Sequence, residues 1–165
     1  GRIDHALHGT NAKRAMEDTI AFDEAIKAAL AKVDLNNTLL VFTADHDHTM
    51  AINGYSKRGN PILDISRNYK DGKEARDADG NTYTTLVFGN GPNRKDTRTS
   101  IVSGNTDSSM ALHDDYLQET AVRLASETHG GGDVMLGASG AGARSFKGSM
   151  DNTKVFTLLK SAFGF

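Results

Sequence analysis

The sequence predicts an α/β fold, and three observations favour this class. A long segment rich in helix-forming residues precedes a short apolar, β-branched segment, and this order is half of an α/β repeat. Ionisable residues follow the apolar segment directly, as expected at the carboxyl end of a strand in an open sheet. The chain has 165 residues, 38% hydrophobic and 24% charged, which suits one domain with a buried core.

The first predicted element is a helix over residues 10 to 33. Helix-forming residues fill this segment, and Thr10 can cap its first turn. Apolar side chains recur at three- and four-residue spacing, which predicts one packing face: Phe22, Ile26, Ala29, Leu30 and Val33. The polar residues 34–37 form the turn that ends the helix.

Three strands and a second helix follow. Residues 38–43 are continuously apolar or β-branched, which predicts a strand buried on both faces. Residues 82–88 and 134–138 predict two further strands. The composition of residues 116–124 permits either a helix or an extended segment. Residues 152–163 predict a C-terminal helix with one apolar side.

Charge and composition exclude several classes of function. The 19 basic and 21 acidic side chains give a net charge of −2, whereas nucleic-acid-binding domains carry a basic surface. The longest apolar run, residues 39–42, is far shorter than the roughly 20 residues that cross a bilayer. Because the chain has no Cys, a transition-metal site requires its 6 histidines and its carboxylates.

Three clusters contain five of the six histidines. Each cluster alone is compatible with ordinary surface residues, but their joint concentration beside carboxylates favours metal binding. His113 lies outside them and is interpreted as a surface residue. The first cluster has Asp4 and His8 four apart, on one face of a helical turn, with His5 between them. The second is Asp45, His46, Asp47 and His48 after the first strand, and the third is Glu127 to Asp133, with His129 before three glycines.

The ligand types in these clusters favour zinc. Calcium and magnesium prefer shells of oxygen ligands, whereas zinc accepts histidine nitrogen together with carboxylate oxygen. Two histidines and one carboxylate per ion leave one coordination position open, which is a catalytic arrangement. Two such ions about 4 Å apart would hold the attacking and leaving oxygens of a phosphoryl group.

Four segments resemble the alkaline phosphatase family in order and spacing. They are residues 1–8 (Gly-Arg-Ile-Asp-His-Ala-Leu-His), 43–48 (Thr-Ala-Asp-His-Asp-His), 83–92 (Tyr-Thr-Thr-Leu-Val-Phe-Gly-Asn-Gly-Pro) and 127–131 (Glu-Thr-His-Gly-Gly). The chain resembles the C-terminal part of a bacterial enzyme of this family over nearly its whole length. The resemblance implies that residues 1–165 are the C-terminal portion of a single domain, a three-layer α/β/α sandwich with a central, mostly parallel sheet.

The resemblance also implies an activity and metal ligands. Family members hydrolyse phosphate monoesters at a site with two zinc ions and one magnesium ion, through a phosphoserine intermediate. Asp4, His8 and His129 match the protein ligands of the first zinc. Asp45 and His46 match two ligands of the second zinc.

Other family positions fall beside the metals or outside the chain. His5 matches a residue that contacts phosphate directly or through water, and His48 matches a position whose hydrogen bond would orient a ligand. The serine nucleophile and the magnesium ligands have no match, and Ser108 and Ser109 lie in a polar loop that we interpret as structural.

The resemblance therefore implies a chain that is inactive without a missing N-terminal part. That part and a phosphate monoester are the expected partners. Family members are commonly homodimers and typically periplasmic or secreted, so both properties are expectations here. Two other functions also fit the clusters: a self-contained zinc hydrolase that uses a metal-bound hydroxide, and a non-catalytic zinc-binding module.

Overall fold

The structure, a computed structural model, describes residues 1–165 and has a mixed α/β fold with small sheets. It divides into two compact units, one comprising Gly1–Ile20 and His48–Gly131, the other Ala21–Asp47 and Gly132–Phe165. The helices are α1 (Arg2–His8), α2 (Ala12–Leu30) and α3 (Thr153–Ala162). The strands are β1 (Leu39–Thr43), β2 (Asp47–His48), β3 (Met50–Ile52), β4 (Leu86–Gly91), β5 (Thr120–Arg123), β6 (His129–Gly130) and β7 (Leu136–Gly140).

Helix α2 confirms the long predicted helix but differs from it in its cap and its buried face. The side chain of Asn11 caps the helix, since its Oδ1 accepts a hydrogen bond from the Arg14 amide at 2.9 Å. Thr10 instead adopts a left-handed conformation with φ of 57°. The fully buried side chains are Ala12 and Ala15 in the first turns. The predicted face was wrong at Phe22, which is exposed.

The first unit contains a three-stranded sheet in which β4 is central. Strand β3 pairs with β4 antiparallel, and β5 pairs with β4 parallel. Strand β5 shows that the ambiguous segment 116–124 includes an extended portion. The strand predicted at residues 82–88 begins only at Leu86, because Thr82 and Thr84 make isolated bridges to other loops. Their buried hydroxyls donate to the backbone carbonyls of Ile101 and Leu86, which satisfies these polar groups.

One of the two core clusters of the first unit lies against β4. Leu86 and Phe88 pack with Ala12 of α2, and Leu7 of α1 packs against the same cluster. The buried alanine provides the close approach of α2 to the strand, because it has no bulky side chain. This packing therefore anchors α1, which bears two of the predicted metal ligands.

The second unit contains an antiparallel pair of strands, β1 and β7. The prediction of a strand at 38–43 is confirmed, but the prediction that both its faces are buried was wrong, since four residues are half-buried and Thr43 is exposed. The faces of a strand are buried by elements that pack on them, and the main contact of β1 besides β7 is a single short helical turn, Ala143–Ser145. Helix α3 confirms the predicted C-terminal helix. No helix of the chain is both long and apolar enough to span a membrane.

Replacing Gly91 by alanine is expected to destabilise the first unit by about 1–3 kcal/mol. Gly91 has φ of 141°, and an added Cβ would lie 2.5 Å from Cγ2 of Thr10 and 3.1 Å from Cγ2 of Thr120. The free energy of unfolding in urea measures the effect. Gly54→Ala is the matched control, because no atom lies within 4 Å of the added carbon. Equal unfolding free energies for the two variants would contradict this account.

Candidate metal centre

Four predicted site residues come together in the first unit. Asp4 lies in the first turn of α1 and His8 in its last turn, so their spacing of four places them on one helix face. A carboxylate in the first turn also interacts favourably with the helix dipole. His48 ends β2 and His129 begins β6. The structure thus joins residues from all three sequence clusters that were predicted to bind metal.

One carboxylate oxygen of Asp4 lies close to all three histidines of this group. Asp4 Oδ1 lies 3.2 Å from Nε2 of His8 and 3.1 Å from Nε2 of His48. The same oxygen lies 3.6 Å from Nε2 of His129. The ring centroids of the three histidines are 5.0 to 5.4 Å apart. Three imidazoles therefore direct the same ring nitrogen toward one carboxylate oxygen.

The hydrogen bonds of His8 identify which of its nitrogens can bind a metal. Nδ1 of His8 lies 2.5 Å from the backbone carbonyl oxygen of Glu127. A carbonyl only accepts hydrogen bonds, so Nδ1 is the donor, and in a neutral ring Nε2 then carries the lone pair. Histidines that bind metals typically make this kind of hydrogen bond through their other nitrogen.

The separations of the donor atoms fit a tetrahedral zinc ion. Ligand atoms about 2.0–2.1 Å from such an ion are about 3.4 Å from one another. The distances from Asp4 Oδ1 to the Nε2 atoms of His8 and His129 are 3.2 and 3.6 Å, on either side of that value. One carboxylate and two imidazoles also form a donor set that zinc prefers over calcium or magnesium.

The electrostatics of the site keep Asp4 ionised. Burial acts to raise the pKa of the Asp4 carboxyl, but the charge of His8 and a hydrogen bond from His48 act in the opposite direction. Together with His129 they bring the pKa of Asp4 below its usual value. Asp4 therefore retains the charged form that a metal requires as the solution becomes more acidic.

Glu127 is a residue of this site to which the sequence assigned no role. Its side chain is 0% exposed and lies 2.6 Å from Nδ1 of His48. It was visible as part of the third cluster, directly before Thr128 and His129. Nothing in the sequence indicates that the Glu127 side chain is buried, because a glutamate in a glycine-rich polar segment is typically exposed.

The second unit contains the other two predicted ligands, directly after β1. Asp45 Oδ2 lies 3.6 Å from Nε2 of His46, and the Asp45 side chain is 90% exposed. Nδ1 of His46 lies 3.1 Å from the carbonyl oxygen of Asp47, to which it donates. His46 thus has the same donor pattern as His8, with Nε2 directed toward a carboxylate.

The glycine segment after His129 has a specific steric role. The amide of Gly132 donates to Oδ2 of Asp47 at 3.2 Å, and an added Cβ at this glycine would overlap the same carboxylate. Its φ is outside the left-handed region. The third of the three glycines is therefore required by the close approach of Asp47 rather than by an unusual backbone conformation.

The remaining candidates are not members of the four-residue group. His5 is exposed on α1. His113 is half-buried in a turn, where its Nδ1 accepts a hydrogen bond from the Asp115 amide at 3.0 Å. Ser109 is exposed and donates to Oδ1 of Asp107 at 2.7 Å, a local contact that stabilises its own loop.

Comparison with known proteins shows one family. The profile of the alkaline phosphatase family matches residues 1–165. The tissue-nonspecific isozyme of alkaline phosphatase from Felis catus is 36% identical over 143 residues, which are 85% of this chain and 25% of the relative. The alkaline phosphatase of Gadus morhua is 37% identical over 85% of this chain and 28% of its own length.

The alignment with a third relative includes more of this chain. The membrane-bound alkaline phosphatase of Bombyx mori is 36% identical over 157 residues, which are 94% of this chain and 27% of the relative. The chain thus spans about a quarter of the length of the curated relatives it matches.

Proposed function

Since this chain belongs to the alkaline phosphatase family, we propose that it supplies metal ligands to an enzyme that hydrolyses phosphate monoesters. The observation that supports this most directly is the convergence of three imidazole nitrogens within 3.6 Å of Asp4 Oδ1. Converging nitrogen and oxygen donors of this kind are the arrangement that can hold a metal ion. The finer features of the family fold, a three-layer sandwich with a mostly parallel central sheet, belong to the same proposal.

The proposed ligands of the first zinc are Asp4, His8 and His129. Asp45 and His46 are the proposed ligands of the second zinc, and the magnesium ion is assigned to residues outside this chain. Bound zinc supplies a Lewis acid that polarises the phosphoryl oxygens and offsets their charge. The ionised carboxylate of Asp4 and the neutral imidazoles provide the charge and geometry for holding such an ion.

Two further histidines act beside the ions in this proposal. His5 is exposed on α1 directly after Asp4, so its ring is accessible for a contact to phosphate, direct or through water. His48 is 6% exposed, and its Nε2 lies 3.1 Å from Asp4 Oδ1, so it orients that ligand.

The nucleophile belongs to another part of the enzyme in this proposal. The family reaction proceeds through a phosphoserine intermediate, and the family's serine has no match among these residues. We therefore assign that serine to the remaining part of the enzyme, which is the chain's proposed partner. A homodimer and a periplasmic or secreted location remain predictions from the family resemblance.

The test measures zinc content and hydrolysis of p-nitrophenyl phosphate. The 165-residue chain alone is expected to bind zinc without turnover, and the complete enzyme is expected to show both. Full turnover by the chain alone would indicate a self-contained zinc hydrolase. Zinc binding without turnover in the complete enzyme would indicate a non-catalytic zinc-binding module. Absence of zinc binding would contradict all of these functions.

Zinc affinity is expected to fall as the pH falls below about 6.5, where an ordinary imidazole becomes protonated. Imidazole must be neutral to bind zinc, so protons compete with the ion for each histidine ligand and affinity weakens as the solution becomes more acidic. The lowered pKa of Asp4 means that this carboxylate does not limit binding in the same range. Zinc content after equilibrium dialysis at several pH values measures the effect, and undiminished zinc at pH 5 would exclude histidine ligands.

A further inference from the structure

We propose that Glu127 is a positioning residue that fixes the orientation of two imidazoles of the metal centre. Its carboxylate fixes the ring of His48, and its backbone carbonyl fixes the ring of His8. This inference rests on the proposed function in one respect only, namely that the group around Asp4 binds zinc. The contacts of Glu127 itself are independent of any metal.

Both oxygens of the Glu127 carboxylate accept hydrogen bonds from protein groups. Oε1 accepts from both the amide and the hydroxyl of Thr49, each at 2.6 Å. Oε2 lies 2.6 Å from Nδ1 of His48. The side chain of Glu127 is 0% exposed, and its three donors are all protein groups. Glu127 therefore acts on the centre through His48.

The backbone of Glu127 makes a reciprocal contact with the end of α1. Its amide donates to the carbonyl of His8 at 3.0 Å, and its carbonyl accepts from Nδ1 of His8 at 2.5 Å. The next residue is held too, since Thr128 and the Asn90 side chain exchange two hydrogen bonds of 2.9 Å. The segment before His129 is thus tied to both α1 and β4.

These contacts determine which nitrogen of each ring is the donor. An ionised carboxylate and a carbonyl can only accept, so Nδ1 carries a hydrogen in both His48 and His8. Both rings are then held with Nε2 toward Asp4 Oδ1, at 3.1 and 3.2 Å. Glu127 therefore orients His48 through its side-chain carboxylate and His8 through its backbone carbonyl.

The substitution Glu127→Gln keeps the shape of the side chain but replaces the acceptor that faces Nδ1 of His48 by a donor. The amide oxygen of glutamine satisfies the two donors of Thr49, so its NH₂ group faces His48. Nδ1 of His48 must then accept, so it no longer carries a hydrogen, and only Nε2, which donates to Asp4, keeps one. The expected zinc affinity is about 10–100-fold lower, as for other groups that orient metal ligands.

The experiment uses the full 165-residue chain with zinc as the only ligand. Nitrogen-15 NMR of the histidine rings reports the position of the hydrogen, and competition with a chelator reports zinc affinity. In the unsubstituted chain without metal, Nδ1 of His8 and of His48 is expected to be protonated. Glu127→Gln is expected to remove that proton from His48 while leaving the one on His8.

Asp64→Asn is the matched control. Asp64 is also a buried carboxylate that accepts from an amide, that of Ile65, and from a hydroxyl, that of Ser103, but it contacts no histidine. Its replacement is expected to change stability and to leave the His48 signals and zinc affinity unchanged.

Three outcomes overturn the proposal. The first is an unprotonated Nδ1 in His48 of the unsubstituted chain, which remains measurable even where a variant fails to fold. The second is a folded Glu127→Gln chain with unchanged ring signals and zinc affinity. The third is an equal loss of zinc affinity in the Asp64→Asn control. A chain with the expected ring signals that binds no zinc would contradict the proposed function and leave the orienting contact of Glu127 supported.

Discussion

Replacing His129 by alanine is expected to lower zinc affinity by at least about 100-fold, because groups that merely orient a ligand already contribute 10–100-fold. The variant loses an imidazole whose Nε2 lies 3.6 Å from Asp4 Oδ1. Its side chain is 51% exposed, so its removal leaves little cavity and should affect stability only slightly. The effect on the metal is therefore separable from an effect on folding.

Zinc affinity of the chain and phosphomonoester turnover of the complete enzyme are the two measurements for His129→Ala. Turnover is expected to fall in parallel with zinc content at limiting zinc. His113→Ala is the control, since His113 contacts a backbone amide in a turn and lies outside the three clusters. Unchanged zinc affinity in His129→Ala, or a comparable loss in His113→Ala, would contradict the ligand assignment.

Replacing Phe88 by alanine is expected to lower the free energy of unfolding by about 3–5 kcal/mol, the usual cost of removing a buried aromatic ring. Phe88 is 1% exposed and packs with Leu86 and Ala12 in the cluster that also contacts Leu7 of α1. Whole domains are stable by only about 5–15 kcal/mol, so this loss is large. Because Leu7 shares the cluster, we expect α1 and its ligands to lose their fixed position as well.

Urea denaturation of Phe88→Ala and of the control Phe156→Ala measures this difference. Phe156 is 72% exposed on α3, so its replacement should change stability by no more than about 0.5 kcal/mol. Similar losses in the two variants would mean that the cluster around Phe88 does not stabilise the first unit as described.

The longer sequence patterns correctly predicted two helices and one strand. The spacing of apolar residues and the helix formers located α2 and α3 to within a few residues. The continuous apolar run located β1. The clusters of histidine and carboxylate, in order along the chain, also indicated the family that the comparisons show.

Long-range contacts decided what these patterns left open or misassigned. The extended form of residues 120–123 depends on parallel pairing with β4, and that partner is remote in sequence. The cap of α2 moved from Thr10 to Asn11, because Thr10 adopts a left-handed conformation. Strand β4 begins later than predicted, since Thr82 and Thr84 form isolated bridges to Arg76 and Ile65 instead of pairing within the sheet.

The sequence by itself thus determined the family, the main helices, and which residue types are available to bind a metal. Only the tertiary structure decided which nitrogen of each imidazole faces Asp4 and that Glu127 is buried among the groups that orient them. Glu127 and His48 are 79 positions apart, and Glu127 and His8 are 119 apart. Hydrogen-bond partners at such separations are selected by the packing of the whole unit, which no local periodicity of residues encodes.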